Sequence, residues 1–163
     1  MSGSSTTTAG ALSEKDRAFI RDAAEGGLAE VKMGELGQQK ATSQDVKNLA
    51  KTLQDDHQKA NDELTSIAKS KGIELPSGMG AHESAINSLE NKQGQEFDRS
   101  FVKDTIRDHN QDISKFERAA NDLDDPDLKA FAQKTVPVLR NHLSMAEQAS
   151  KSLSSEKSGK SER

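Results

Sequence analysis

The chain has 163 residues, enough for one domain with a hydrophobic core. Hydrophobic residues make up 31% and aromatic residues 3% of it, with no Trp or Tyr, which favours amphipathic helices over a β-sandwich. The 23 basic and 27 acidic residues are well mixed, which argues against nucleic-acid binding, and the absence of Cys excludes disulfides and thiolate metal sites.

The two ends of the sequence are small and polar. Residues 1–12 predict a disordered N-terminal segment and residues 154–163 a disordered C-terminal tail, which leaves residues 13–153 as the folded domain. The N-terminal residues lack the basic and apolar regions of a signal peptide, so none is predicted in the chain as given. No apolar run approaches the roughly 18 residues of a membrane span, so we expect no transmembrane segment.

The first predicted helix begins after Ser13, an N-cap whose capping-box partner Asp16 follows three residues later. The apolar periodicity continues to about Lys40. Three glycines interrupt this helix at a cost of about 1 kcal/mol each relative to Ala, which indicates either close approach of another helix beside Glu30 or weak selection at these positions: Gly27, Gly34 and Gly37.

The second predicted helix begins almost at once, because Thr42 and Asp45 repeat the capping pattern. It ends near Lys71, where Gly72 provides the left-handed residue common after a helix. A turn this short makes the first two helices antiparallel.

Residues 73–94 contain Pro76 and a short apolar repeat at Ala85, Ile86 and Leu89. They predict a long crossover with one small helix, in which His82 is expected to be exposed to solvent.

The third predicted helix runs from about Gln95 to Ala120. Asp125 then caps a fourth helix that begins at Pro126 and ends near Leu153. The pattern of helices and turns predicts an all-α, ferritin-like antiparallel four-helix bundle with a long crossover between helices 2 and 3.

One polar residue interrupts the apolar stripe of each long helix: Glu30, His57, His109 and His142. Counting from the turns, at about 1.5 Å per residue, places all four near the middle of the bundle. A buried polar group without a partner costs about 1–3 kcal/mol, so these groups need a common solution. Two remain open: a bound transition-metal ion, or a metal-free network in which one protonated histidine faces Glu30.

Three imidazoles and one carboxylate suit Zn²⁺, and imidazole also suits Fe, Cu and Ni. Ferritin-like di-iron sites use Glu-x-x-His motifs, but Gln54, Ile106 and Leu139 stand three residues before the three histidines. The pattern therefore predicts a mononuclear site. Other acidic residues near the histidines are not predicted to be ligands. Asp55 and Asp56 are expected to be surface charges, and Asp98 and Glu117 to be either outer partners of the site or unrelated surface groups.

Two long segments carry a family resemblance. Residues 24–76, with the motif DDH, and residues 97–148, with FD, DHN and HL, resemble a bacterial family known as domain of unknown function 4142. The resemblance covers about residues 17–152, and it implies a ferritin-like fold and an extracytoplasmic, often periplasmic, location. Five positions of this chain match the family pattern: Glu30, His57, Asp98, His109 and His142. The resemblance implies no particular activity.

We therefore expect a helical bundle whose partner is one metal ion, for metal buffering or stress protection. Two alternatives stay open. In a metal-dependent hydrolase-type enzyme, a metal with an open position would activate water, with Glu30 as general base. In a metal-free envelope-stress interaction module, the outer helix faces would bind a partner.

Overall fold

The structure is a computed structural model that describes residues 12–161, with side chains described for residues 12–156. It is helical, as predicted, and residues 12–161 contain no strand. Within the same residues, no helix combines the length and the apolar character needed to cross a membrane. The elements are α1 (Glu14–Lys40), α2 (Gln44–Ser70), a 3₁₀ turn (Gly80–His82), α3 (Glu83–Glu90), α4 (Gly94–Asp122) and α5 (Pro126–Ser161).

The four long helices pair as two antiparallel hairpins. α1 packs along α2, α4 packs along α5, and the hairpins meet mainly through α2 and α5. Hydrogen bonds place the start of α1 beside the turn that follows α4, and the start of α4 beside the turn that follows α1. Consequently α1 and α4 are antiparallel to each other, whereas α2 and α4 run in the same direction.

The N-terminal end of the bundle includes one residue of the segment predicted to be disordered. Leu12 is buried with Phe19 and Ile20 in a core cluster, because it directly precedes the capping box of Ser13 and Asp16 that starts α1. The prediction of disorder is therefore wrong for Leu12, and its other residues, 1–11, lie outside the described part of the chain.

The C-terminal helix starts as predicted but extends further. The Asp125 carboxylate accepts hydrogen bonds of 3.0 Å from the backbone N–H groups of Asp127 and Leu128, and Pro126 takes the first helical position. The helix continues past the expected end at Leu153 to Ser161. Leu153 remains its last buried residue among those with described side chains, so the apolar stripe marks the end of packing and not of the helix.

The crossover between α2 and α4 contains the predicted short helix, α3. Gly72, with φ of 69°, ends α2, and the N–H of Ile73 returns to the carbonyl of Ala68 at 2.9 Å. Ile86 and Leu89 then fix α3 in the core, where they are 2% and 0% exposed. The crossover thus forms part of the packed bundle.

Two buried aspartates tie each hairpin to the other. Asp98 of α4 accepts hydrogen bonds from the N–H groups of Thr42 and Ser43 and from the Thr42 hydroxyl, at 2.7–3.2 Å. The predicted cap from the side chains around Thr42 is absent, since the N-cap Ser43 makes no side-chain cap bond, and Asp98 instead binds the two N–H groups that directly precede α2. The interpretation of Asp98 as a surface or site group is therefore wrong.

The equivalent tie at the other end of the bundle comes from Asp16 of α1. Its carboxylate accepts hydrogen bonds of 3.2 and 3.3 Å from the N–H groups of Asp124 and Asp125, at the start of α5. The local sequences also correspond, because DRAFI at residues 16–20 and DRSFV at residues 98–102 occupy equivalent places in the two hairpins. Each hairpin therefore binds the turn that precedes the second helix of the other.

Close packing of α1 against α2 explains the predicted glycine positions. A Cβ atom on Gly34 would lie 2.7 Å from the Ala50 carbonyl oxygen, and one on Gly37 would lie 2.5 Å from the Ala50 Cβ atom. Gly27 directly faces the Asn61 side chain. The prediction of close approach on this face of α1 is confirmed.

The apolar core consists of two clusters separated along the bundle axis. Each long helix contributes to both clusters: the residues before its polar stripe residue belong to one cluster, and the residues after it belong to the other. α4, for example, contributes Phe101 to one cluster and Ala119 to the other, with His109 between them. The four polar residues therefore share a middle layer, as the count from the turns predicted: Glu30, His57, His109 and His142.

We predict that Asp98→Ala lowers the free energy of unfolding by about 3 kcal/mol, because it removes a buried charged acceptor and strands its backbone donors. Asp55→Ala is the matched control, since Asp55 is an exposed aspartate that pairs with Lys51 of its own helix. We expect a change of about 0.5 kcal/mol or less for the control in urea unfolding. Equal losses in the two variants would contradict the role of Asp98 as a tie between the hairpins.

Candidate metal centre

Three imidazole rings from three helices meet in the middle layer. His57 of α2, His109 of α4 and His142 of α5 each offer a ring nitrogen, and these atoms lie within 4.8 Å of one another. The ring centroids are 5.1–5.7 Å apart. His109 and His142 are fully buried and His57 is 8% exposed, so the cluster lies in the core.

The hydrogen bonds of His109 determine which of its nitrogens is free. Its Nδ1 lies 2.9 Å from the carbonyl oxygen of Thr105, one turn earlier on α4. A carbonyl oxygen only accepts, so Nδ1 carries the proton and donates. In the neutral ring, Nε2 then presents a lone pair towards His142.

His142 is oriented by a residue that the sequence had assigned to the surface. The Nε2 of His142 lies 2.7 Å from the Asp56 Oδ2 atom, and Asp56 is 39% exposed. A carboxylate accepts, so Nε2 donates and Nδ1 of the neutral ring keeps its lone pair. That Nδ1 lies 3.2 Å from the Nε2 of His109, where two acceptors face each other without a proton between them.

His57 provides the third ring of the cluster. The Nε2 of His57 is buried and has no hydrogen-bond partner among the described residues. The cluster therefore directs unprotonated nitrogens of His109 and His142 at each other, beside an unpartnered nitrogen of His57. Carboxylate and carbonyl partners of this kind commonly fix the tautomer of metal-binding histidines.

Burial keeps the three rings neutral at physiological pH. Burial, together with the charge that His142 would carry, lowers the pKa of His109 to about 4, although the hydrogen bond to the Thr105 carbonyl opposes this shift. The pKa of His57 lies well below its usual range for the same reasons. Burial also lowers the pKa of His142, although the Asp56 carboxylate opposes this shift. Neutral imidazole is the form that binds metals.

Glu30 lies in the same layer but outside the histidine group. It is 3% exposed, its Oε2 atom has no partner among the described residues, and it does not belong to the set of ligand atoms within 4.8 Å. Burial raises its pKa well above the usual range, and Asp108, Asp112 and Asp104 raise it further. Its role as a fourth ligand stays a prediction.

The metal-free network that the sequence left open is not formed in this structure. It requires a protonated histidine to face Glu30, yet Glu30 Oε2 and His57 Nε2 are both buried without partners. All three histidine pKa values are lowered, which disfavours the imidazolium that the network needs. Glu30 and His57 are thus not satisfied by the other polar residues of the layer, whereas His109 and His142 lie 3.2 Å apart through their ring nitrogens.

Other residues considered from the sequence lie outside the cluster. Asp55 is an exposed partner of Lys51, as expected, and Glu117 pairs with Arg140 at the surface. His82 is half-buried where exposure was expected, because the crossover lies over α1 and brings its ring near Gly26.

Comparison with known proteins gives one match. The family model described as Domain of unknown function (DUF4142) matches residues 2–149, a range that includes the three histidines and Glu30. Neither a curated protein nor a solved structure matches the chain.

We predict fixed tautomers in the metal-free protein near neutral pH: Nδ1–H for His109 and Nε2–H for His142. The measurement is the ¹⁵N chemical shifts of the ring nitrogens. Asp56→Ala should convert His142 to a mixture of tautomers, because its acceptor is lost, while His109 keeps its proton on Nδ1. Asp55→Ala, an equal change of charge on the exposed neighbour, should change neither ring. An imidazolium signal from His142 in the wild-type protein would contradict this assignment.

Proposed function

The chain belongs to the family described as domain of unknown function 4142, and we propose that its bundle binds one transition-metal ion between His57, His109 and His142. The observation that carries the proposal is the convergence of three ring nitrogens in the buried core, where the inner nitrogens of His109 and His142 carry no proton and His57 Nε2 has no partner among the described residues. The structure supplies no common donor for these nitrogens, and a metal ion satisfies all three at once. The biological role that we propose is metal buffering or stress protection.

Zn²⁺ is the metal that we propose first. Zinc accepts three histidine nitrogens in a tetrahedral site, and it needs no cysteine. Fe, Cu and Ni also bind imidazole, so the choice among them depends on metal supply as well as on geometry. The fixed tautomers of His109 and His142 support any of these metals, because each binds a nitrogen lone pair.

We also propose that the bundle is ferritin-like in its chain path. The supporting observations are the two antiparallel hairpins, the equal direction of α2 and α4, and the crossover between these two helices. A connection of this kind must return along the length of the bundle before the second hairpin begins.

Burial favours metal holding over the enzymatic alternative. Three protein ligands would leave a fourth position open, as in catalytic zinc sites. However, His109 and His142 are 0% exposed, and the two apolar clusters cover the layer on both sides. A substrate would have to displace packed core residues to reach the ion, whereas a stored ion needs only to enter and leave.

An extracytoplasmic location is part of the proposal. It rests on the family resemblance, and the absence of Cys is compatible with an oxidising compartment. Fractionation of cells that express the native gene tests this location independently of metal binding.

We predict that a chelator lowers the melting temperature of the wild-type protein. An ion at 100 times its Kd adds about 2.7 kcal/mol to the folded state, which is a change of several degrees for a chain of this size. His57→Leu should abolish this response, because it removes one of three nitrogen ligands. Its melting temperature should equal or exceed that of chelated wild type, since leucine removes an unpartnered polar atom from the core.

The control for this experiment is Lys59→Leu, a change to the same residue on the exposed side of α2. It should keep the response to chelator. The metal proposal is wrong if wild-type melting is indifferent to chelator and His57→Leu is strongly destabilised in both conditions. That result would make His57 a structural histidine.

Glu30→Gln tests the predicted fourth ligand. If the carboxylate coordinates the ion, the Kd for Zn²⁺ should rise at least about tenfold, which is the usual cost of changing a group at a metal site. Glu35→Gln, a half-buried change on the same helix, should leave the Kd unchanged. An unchanged Kd in Glu30→Gln would leave a site of three histidines and remove Glu30 from the ligand set.

A further inference from the structure

The interface between α1 and α4 is apolar at its ends and acidic in its middle. Phe19 packs on Phe116 towards one end, with ring centroids 5.1 Å apart. Towards the other end, a Cβ atom on Gly37 would lie 3.0 Å from the Phe101 ring. Between these contacts lie four carboxylates, which we call the acidic seam: Glu30 of α1 and Asp104, Asp108 and Asp112 of α4.

Helix geometry places Glu30 opposite the aspartates. Glu30 lies about two turns before Gly37 on α1, and Asp108 lies about two turns after Phe101 on the antiparallel α4. Asp104, Asp108 and Asp112 are spaced by four residues, so they form one stripe on α4. The three aspartates are also the charges that act on Glu30 and raise its pKa, after burial itself.

The seam has more negative charge than its cationic neighbours compensate. Arg107 pairs with Asp104 at 3.1 Å and with Asp108 at 3.3 Å, and half of its side chain is exposed. Lys115 lowers the pKa of Asp112, but burial outweighs it and raises that pKa to about 6. Glu30 has no cationic partner among the groups that shift its pKa, and its Oε2 is the buried unpartnered atom described above.

Glu30 connects the seam to the histidines. On the α2 side, Gly27 faces Asn61 and Gly34 faces Gln54, so Glu30 lies at the same level as His57. Solvent exposure decreases from the aspartates of α4 to Glu30. The side chains of Asp104 and Asp108 are 18% and 15% exposed, whereas Glu30 is 3% exposed. The carboxylates therefore lead from the surface to the level of the histidine cluster.

We infer that the acidic seam is the uptake route of the metal site, along which carboxylates pass a divalent cation from solvent to Glu30 and then to the three histidines. This inference rests on the proposed metal binding. Asp104 and Asp108 are partly open to solvent, and Glu30 is a buried carboxylate that feels their charges and has an unpartnered oxygen. A cation there replaces water by carboxylate oxygens before it reaches nitrogen ligands.

The physical advantage of such a route is kinetic. A groove of like charges raises the local concentration of counter-ions and increases the association rate, by a factor that decreases with ionic strength. Removing these charges should therefore slow uptake most strongly at low salt. A purely structural role of the aspartates would change stability without this dependence on salt.

The test measures uptake of Co²⁺, whose visible absorption reports binding to a nitrogen site, by stopped-flow mixing with the full metal-free chain. The route variant is Asp108→Asn with Asp112→Asn. The matched control, Asp55→Asn with Asp62→Asn, removes two exposed charges from α2. Rates are compared between about 0.01 M and 0.15 M salt, a range over which the screening length falls from about 30 Å to about 8 Å.

We expect the route variant to bind Co²⁺ about tenfold more slowly at low salt, with less dependence on salt and with the same final absorption. The control should stay within about twofold of wild type. Uptake by the route variant at the wild-type rate overturns the inference and leaves the proposed site intact. Loss of its final absorption would also overturn the inference, because the aspartates would then hold the ion itself. If wild type shows no absorption, the proposed site fails and the route fails with it.

Discussion

The arrangement of the bundle depends on two buried aspartates that fix how far each helix slides along the others. Asp98 and Asp16 each accept hydrogen bonds from backbone N–H groups at the turn of the opposite hairpin. A shift of one residue along a helix moves a side chain by 1.5 Å and turns it by 100°. Three imidazoles from three helices meet only if this axial register is held, so ties at both ends of the bundle determine the geometry at its middle.

This axial register places four polar residues in one buried layer, and two of them, Glu30 and His57, have a side-chain atom without a hydrogen-bond partner among the described residues. Apolar clusters lie above and below the middle of the bundle, and burial lowers the pKa of each histidine in the layer. Thr105 and Asp56 occupy the outer nitrogens of His109 and His142, which leaves the inner nitrogens without protons. A core built only for stability would place leucine at these positions, since an unpartnered polar group costs about 1–3 kcal/mol. A metal ion is the partner that best accounts for this layer.

The helices and the histidine layer could be predicted from the sequence because both are expressed by local periodicity. Asp98 gave no such signal, since a side chain that binds a turn from another helix leaves no pattern near that turn. Asp56 was missed because neighbouring residues of a helix point about 100° apart, so a residue beside His57 was interpreted as outward-facing although α5 lies on that side. Glu30 was placed in the correct layer, but a count of helix turns does not show whether a side chain reaches its neighbours.

We propose that the three histidines hold one ion, with Thr105 and Asp56 fixing the tautomers of His109 and His142. The most direct test of this proposal is a crystal structure of the zinc-loaded protein with anomalous diffraction measured at the zinc edge. We predict one strong peak in the middle layer, about 2.0–2.1 Å from Nε2 of His57, Nε2 of His109 and Nδ1 of His142. A zinc-saturated crystal with no peak among these rings, or with the peak bound only by surface carboxylates, would contradict it.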